Sequence, residues 1–155
     1  MIQRIQTIYL LLATVAMSLT LFLPLATIWQ GGNELVVKAF FLDGEIGFKA
    51  PLPIYMGIVL AVATLLPLVT IFLFKSRLTQ IRLCVSEIVL LLGSATFIAL
   101  YCYRLCDLLS EVIADINFTL GIASLMPVVA IILVSLAIRG IAKDEALVRS
   151  LDRIR

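Results

Sequence analysis

Histidine is absent from this 155-residue chain. That removes His-ligated haem, zinc and copper sites, and the commonest general base, in one stroke. Cysteine is scarce: Cys84, Cys102 and Cys106 form no Cys-x-x-Cys pair that would activate a thiol or clamp a metal. Cys102 and Cys106 lie four apart, but a continuous helix orients such a pair poorly for a bridge, so packing is the expected role. Charge is scarce too, at 14% of residues against a hydrophobic fraction of 63%. Soluble domains carry roughly one quarter charged residues, so no sizeable water-soluble domain is left over.

What fills the chain is long apolar runs. Residues 8–28, 51–74 and 116–138 carry no charge, and residues 83–103 carry only Glu87. A helix needs roughly 20 apolar residues to cross the hydrocarbon, where each unpaired backbone group costs several kcal/mol. Every run clears that length. The expected fold is an all-α membrane protein, a four-helix transmembrane bundle forming a single integral membrane domain. Its spans fall at about residues 7–29, 53–74, 83–103 and 118–138, with a tail at 139–155.

Lys and Arg near span ends set orientation. Arg4, Lys75, Arg77, Arg82, Arg139, Lys143, Arg149, Arg153 and Arg155 fall on one side, and Lys38, Lys49 and Arg104 on the other. Both termini are therefore expected in the cytoplasm of a multi-pass protein. The first apolar run continues uncharged through residues 5–33, longer than a secretory h-region and without an Ala-x-Ala-like site, so it reads as a first span. Trp29 stands where an interfacial anchor belongs, beside Gly31, Gly32 and Asn33.

After Asn33 the pattern changes to period two, with Leu35, Val37, Ala39 and Phe41 on one face before Asp43 and Gly44, and Ile46, Phe48 and Ala50 after them. This predicts a short periplasmic β-hairpin between spans one and two, turning at Asp43-Gly44 and pairing Phe41 with Ile46 and Ala39 with Phe48. Its apolar face would lie on the helix ends or on the membrane surface, since a lone hairpin is marginal in water.

Pro67 and Pro127 lie inside spans two and four and predict kinks. Thr14 and Ser18, then Ser86, Gly93, Ser94, Ala95 and Thr96, then Gly121 and Ser124, supply small positions where helices approach. Leu105, Leu108, Leu109 and Val112 keep helical spacing past span three, and Asn117 is a candidate N-cap for span four. Glu87 is the candidate intramembrane polar site. It lies about one turn past Arg82, roughly 6 to 8 Å of rise, within reach of Arg4, Lys75 or Arg139. The expectation is a structural ion pair or hydrogen-bonded anchor, with a proton or cation relay as the competing reading.

The tail predicts a cytoplasmic C-terminal helix with Leu147, Val148, Leu151 and Ile154 on one side, broken by Asp144 within the apolar stripe. Arg149, Arg153 and Arg155 are its candidate lipid or partner contacts, each worth about 1 kcal/mol beside anionic lipid.

The opening residues 1–13, MIQRIQTIYLLLA, and the closing residues 143–155, KDEALVRSLDRIR, resemble an uncharacterised family of small bacterial inner-membrane proteins with four spans. That family has a smaller residue where Leu151 stands and Leu where Ile154 stands. The resemblance implies a bacterial cytoplasmic (inner) membrane location and supplies no activity. The functional expectation is a non-catalytic structural or accessory subunit of a membrane assembly. Its partners would be membrane lipid and either further copies or a larger membrane complex. No nucleic acid, soluble small-molecule substrate, cofactor, metal or catalytic residue is expected. The alternative is a small transporter or ion pathway using Glu87 and the proline-bearing spans two and four.

Overall fold

A computed structural model describes residues 3–30, 33–44, 52–73, 76–112 and 117–152. Among the described residues, four helices, α1 (Gln3–Phe22), α2 (Ile54–Phe72), α3 (Arg77–Val112) and α4 (Met126–Asp152), are accompanied by four short strands. These are β1 (Ala26–Gln30), β2 (Asn33–Val37), β3 (Leu42–Asp43) and β4 (Asn117–Leu120), with a 3-10 turn at Ile122–Leu125. All four helices are long and apolar enough to cross a membrane. Their outer faces expose large apolar side chains such as Leu65, Phe72, Val89 and Ile132, which suits lipid rather than water as solvent.

Helix α1 stops at Phe22 because Pro24 has no N–H to continue the ladder and disfavours helical backbone in the residue before it. The uncharged run expected to carry span one to residue 29 therefore changes structure midway. Leu25 leads into β1, and Trp29 sits on a strand rather than at a helix end. β1 pairs antiparallel with β2, with Gln30 opposite Asn33.

Residues 39–41, expected to belong to the first strand of a hairpin turning at Asp43-Gly44, are not in a strand. Asp43 pairs back with Val36 and Leu42 with Val37, so the chain has already reversed across Lys38–Phe41, closed by the Lys38 N–H donating to the Phe41 carbonyl at 3.0 Å. Lys38 Nζ then meets Asp43 Oδ2 at 3.1 Å. Gly44 has φ of 132° and lies against the Glu34 backbone, a position closed to a Cβ. Ile46, Phe48 and Lys49 lie outside the described residues.

The strand order is β3-β2-β1-β4, so the sheet joins the connection between α1 and α2 to that between α3 and α4. β4 occupies residues expected to begin span four, with Asn117 opposite Trp29 rather than capping a helix. Ala26, Ile28, Leu35 and Val37 share the inner face and are buried; of the apolar face expected for the hairpin, Leu35, Val37 and Ala39 are buried, Phe41 is exposed, and Ile46, Phe48 and Ala50 lie outside the described residues. Phe40 packs against Gly57 in the first turn of α2, where an added Cβ would enter its ring. Leu25 is fixed on both sides, its N–H donating to the Val37 carbonyl and its carbonyl accepting from the Gly121 N–H, each at 2.8 Å.

Helix α3 has 36 residues, about 54 Å of rise against roughly 30 Å of hydrocarbon, so it overshoots as the leucine spacing past span three predicts. Its buried positions, Gln80, Cys84, Glu87, Leu91, Ser94, Ile98, Cys102, Leu105 and Leu109, step by three or four residues along one seam. Ser94 is part of that seam, but Gly93 has open space beside it and Ser86 is exposed, so these two are not close-approach positions. Pro67 lies inside α2. Pro127 is the second residue of α4, where its missing N–H would be unpaired anyway, so the expected kink in span four is not required. The tail is not a separate helix, since α4 runs unbroken to Asp152.

Candidate functional site

The start of α1 and the end of α4 share one end of the bundle, and polar side chains concentrate there. Gln6 Nε2 donates to Asp144 Oδ2 at 3.1 Å, and Arg77 Nη1 donates to the Asp144 carbonyl at 3.2 Å. Asp144 thus ties α1 and α3 to α4. Read as a fault in an amphipathic stripe, it is instead the acceptor for a Gln6 that is only 5% exposed. Gly140, one turn earlier, leaves room for that side chain, since a Cβ there would come within 2.9 Å of Gln6 Cγ. Gln80 Nε2 donates to the Thr70 carbonyl at 3.3 Å, joining α3 to the last turn of α2.

Where α4 passes the α2–α3 turn, an open groove of about 550 Å³ is lined by Ser76, Arg77, Leu78, Thr79, Glu145 and Val148. Ser76 precedes α3, and its carbonyl accepts the first helical bond from the Gln80 N–H at 3.0 Å. Of the tail arginines, Arg149 lies on α4 without a described side chain, and Arg153 and Arg155 lie outside the described residues.

Glu87 is wholly buried in the α3 seam, and neither carboxyl oxygen has a hydrogen-bond partner. Among the described residues no hydrogen bond anchors it. Arg139 is exposed and turned to the outside of α4, and the side chains of Arg4 and Lys75 are outside the described residues. A buried polar group without a partner is rare in folded proteins and requires a physical explanation. Cys84 is buried one turn below it, Cys102 is buried higher on the same helix and Cys106 is partly buried.

Sequence reasoning found Glu87 by its charge and passed over Gln6 and Gln80 because they are neutral. A usable signal was present. Gln80 and Glu87 are seven residues apart, at equivalent points of a seam that is otherwise apolar, hydroxylated or thiol-bearing.

This layout, four apolar helices with a polar clasp at one end and a sheet at the other, extends over the chain, and the sequence model of a domain of unknown function, DUF4293, matches residues 2–154. The chain belongs to the DUF4293 family. Both ends of the match fall on the segments that carry the resemblance, the start of α1 and the end of α4. No curated protein matches the chain. Membership of DUF4293 thus fixes kinship without assigning chemistry to Glu87, to the Gln6–Asp144 clasp or to the groove at the α2–α3 turn.

Proposed function

We propose that this DUF4293 protein is a non-catalytic structural or accessory subunit of a membrane assembly, seated in the bacterial cytoplasmic membrane with both termini in the cytoplasm. The observation that carries this reading is β4. It is an edge of the sheet, and all four of its side chains are exposed. Phe118 and Leu120 lie opposite Ile28 and Ala26, so they prolong the buried inner face outward, yet they are 39% and 59% exposed. An open strand edge beside an apolar ledge suits an extended segment of a partner, which would add main-chain hydrogen bonds to the edge and fill the ledge with alternate side chains.

The orientation rests on the distribution of Lys and Arg, and in sequence the tail adds Arg149, Arg153 and Arg155, charges suited to anionic lipid or to the cytoplasmic part of a partner. Replacing all three with Gln is expected to weaken that association by roughly 3 kcal/mol without preventing insertion. Copurification of the native complex in mild detergent tests the main claim. A stoichiometric partner that is lost from Phe118→Lys/Leu120→Lys supports the subunit; a lone homo-oligomer unaffected by these substitutions refutes it.

The orphaned carboxyl of Glu87 favours a second reading, a small ion pathway. Pro127 no longer contributes to it, which leaves Glu87 and Pro67 as its support. Proton or cation flux in proteoliposomes that vanishes in Glu87→Gln, with thermal stability unchanged, would put this reading first.

A further inference from the structure

Independently of either reading, Glu87 has a counterpart on α2. Within a helix the carbonyl of residue 63 accepts from the N–H of residue 67, and Pro67 has none to give. The Ala63 carbonyl therefore lacks its helical donor. A helical carbonyl points along the axis toward the residue four places on, so the vacancy opens on the face shared by Ala63 and Pro67. Both are buried.

That vacancy stands level with Glu87. Helices α2 and α3 are antiparallel neighbours joined by a short turn in which the Ser76 N–H donates to the Leu73 carbonyl. Gln80 reaches the Thr70 carbonyl. From Gln80 to Glu87 and from Thr70 back to Ala63 are both steps of seven residues, about 10.5 Å in the same direction. The bundle thus sets two acceptors, a carboxyl and a backbone carbonyl, at similar depth on the buried seams of two helices that pack against each other.

Among the described residues no donor or positive charge reaches Glu87, and the hydroxyls near its level, Thr14, Thr64 and Ser135, donate to the Leu10, Leu60 and Ile131 carbonyls of their own helices. Between its ends, α2 carries no ionisable group beyond Tyr55 in its first turn. On α1 the ionisable groups are Arg4 and Tyr9, and the Gln6–Asp144 bond, carried seven residues inward, puts Ala13 level with Ala137. On α4, Arg139 is exposed, Lys143 and Asp144 lie at the far end, and Val134 and Ala137 occupy the inner face. On α3 itself, Arg82 is exposed and Cys84 offers only a weak thiol donor. An ionised carboxylate left alone in such surroundings is costly, and a bare carbonyl costs less but still needs a donor. One proton answers both requirements, because a neutral acid is a donor and the carbonyl an acceptor. A metal cation would ask for several more oxygens than this level of the bundle presents.

We propose that Glu87 is a proton-binding site inside the bundle, its carboxyl holding a proton and donating it to the Ala63 carbonyl that Pro67 leaves without a helical donor. The proton neutralises the only charge of the inner seam and clasps α2 to α3, an arrangement that neither Glu87 nor Pro67 accounts for alone.

Infrared difference spectroscopy of the protein in nanodiscs at neutral pH, wild type against Glu87→Gln, reads the proton directly. A protonated carboxylic C=O band above the amide bands, present in wild type and lost in Glu87→Gln, is expected. In Pro67→Ala the restored N–H takes the Ala63 carbonyl, so the band should shift. Carboxylate bands in place of the acid band, with melting that depends on sodium, would overturn the proton in favour of a metal cation. An acid band unmoved in Pro67→Ala would overturn the pairing with Ala63. Should Pro67→Ala not fold, melting of two Glu87 variants decides: Glu87→Gln keeps a donor and should melt near wild type, whereas Glu87→Leu should melt clearly lower. Equal melting of Glu87→Leu and wild type would sink the clasp.

Discussion

Gln6 and Asp144, 138 positions apart in the chain, are joined by a 3.1 Å hydrogen bond from Nε2 to Oδ2 that closes the bundle between its first and last helices. The donor is almost fully buried, and the acceptor is a carboxylate whose backbone carbonyl is also held by Arg77. Hydrogen bonds to a charged partner contribute more than neutral ones, and a buried donor left alone incurs its desolvation cost. Gln6→Ala and Asp144→Ala are each expected to lower stability by about 1 to 3 kcal/mol, with the double variant well short of the sum. Denaturant or thermal unfolding in detergent measures this, and strict additivity would show that the two residues do not act together.

Gly140 is predicted to matter through Gln6. A methyl group there would press on Gln6 Cγ, so Gly140→Ala should displace the glutamine and cost about 1 to 3 kcal/mol in the manner of an overpacked site. The same substitution in a Gln6→Ala background should cost much less. If both backgrounds respond equally, the close approach is not what holds glycine at this position.

Orientation is checked by single cysteines in a chain cleared of its native thiols. Asn33 and Asp43 are exposed on the sheet, and Ser76 and Ser150 are exposed at the opposite end. Cysteines replacing Asn33 or Asp43 should react with an impermeant reagent added outside intact cells, and those replacing Ser76 or Ser150 should not. Labelling at position 150 from outside would invert the assignment.

The sheet predicts a covalent test of its topology. Thr27 and Thr119 are paired across β1 and β4, one from each loop. Thr27→Cys with Thr119→Cys should crosslink on mild oxidation, since opposed residues on antiparallel strands bring their Cβ atoms to about 5 Å. Moving one cysteine to Phe118 places it on the other face of the sheet and should abolish the crosslink. Equal crosslinking of both pairs would mean that β4 does not hold this register.

Much of this protein follows from composition and charge alone. Apolar runs long enough to cross hydrocarbon favour helices there, because lipid offers backbone groups no partner, and each of the four runs supplies one helix, the first and fourth over only part of their length. The extension of α3 to Val112 was equally legible in its leucine spacing. The sheet was not. Its strands β1 and β4 are written in the same apolar residues as the adjoining spans, and nothing local separates Ala26–Gln30 from a last helical turn except Pro24. Only pairing between segments some ninety residues apart decides that they are strands. The same holds for the interior. Glu87 announced itself by its charge, but its isolation, its level with the Ala63 carbonyl and the partnership of Gln6 with Asp144 are properties of how helices stack, which no single helix contains.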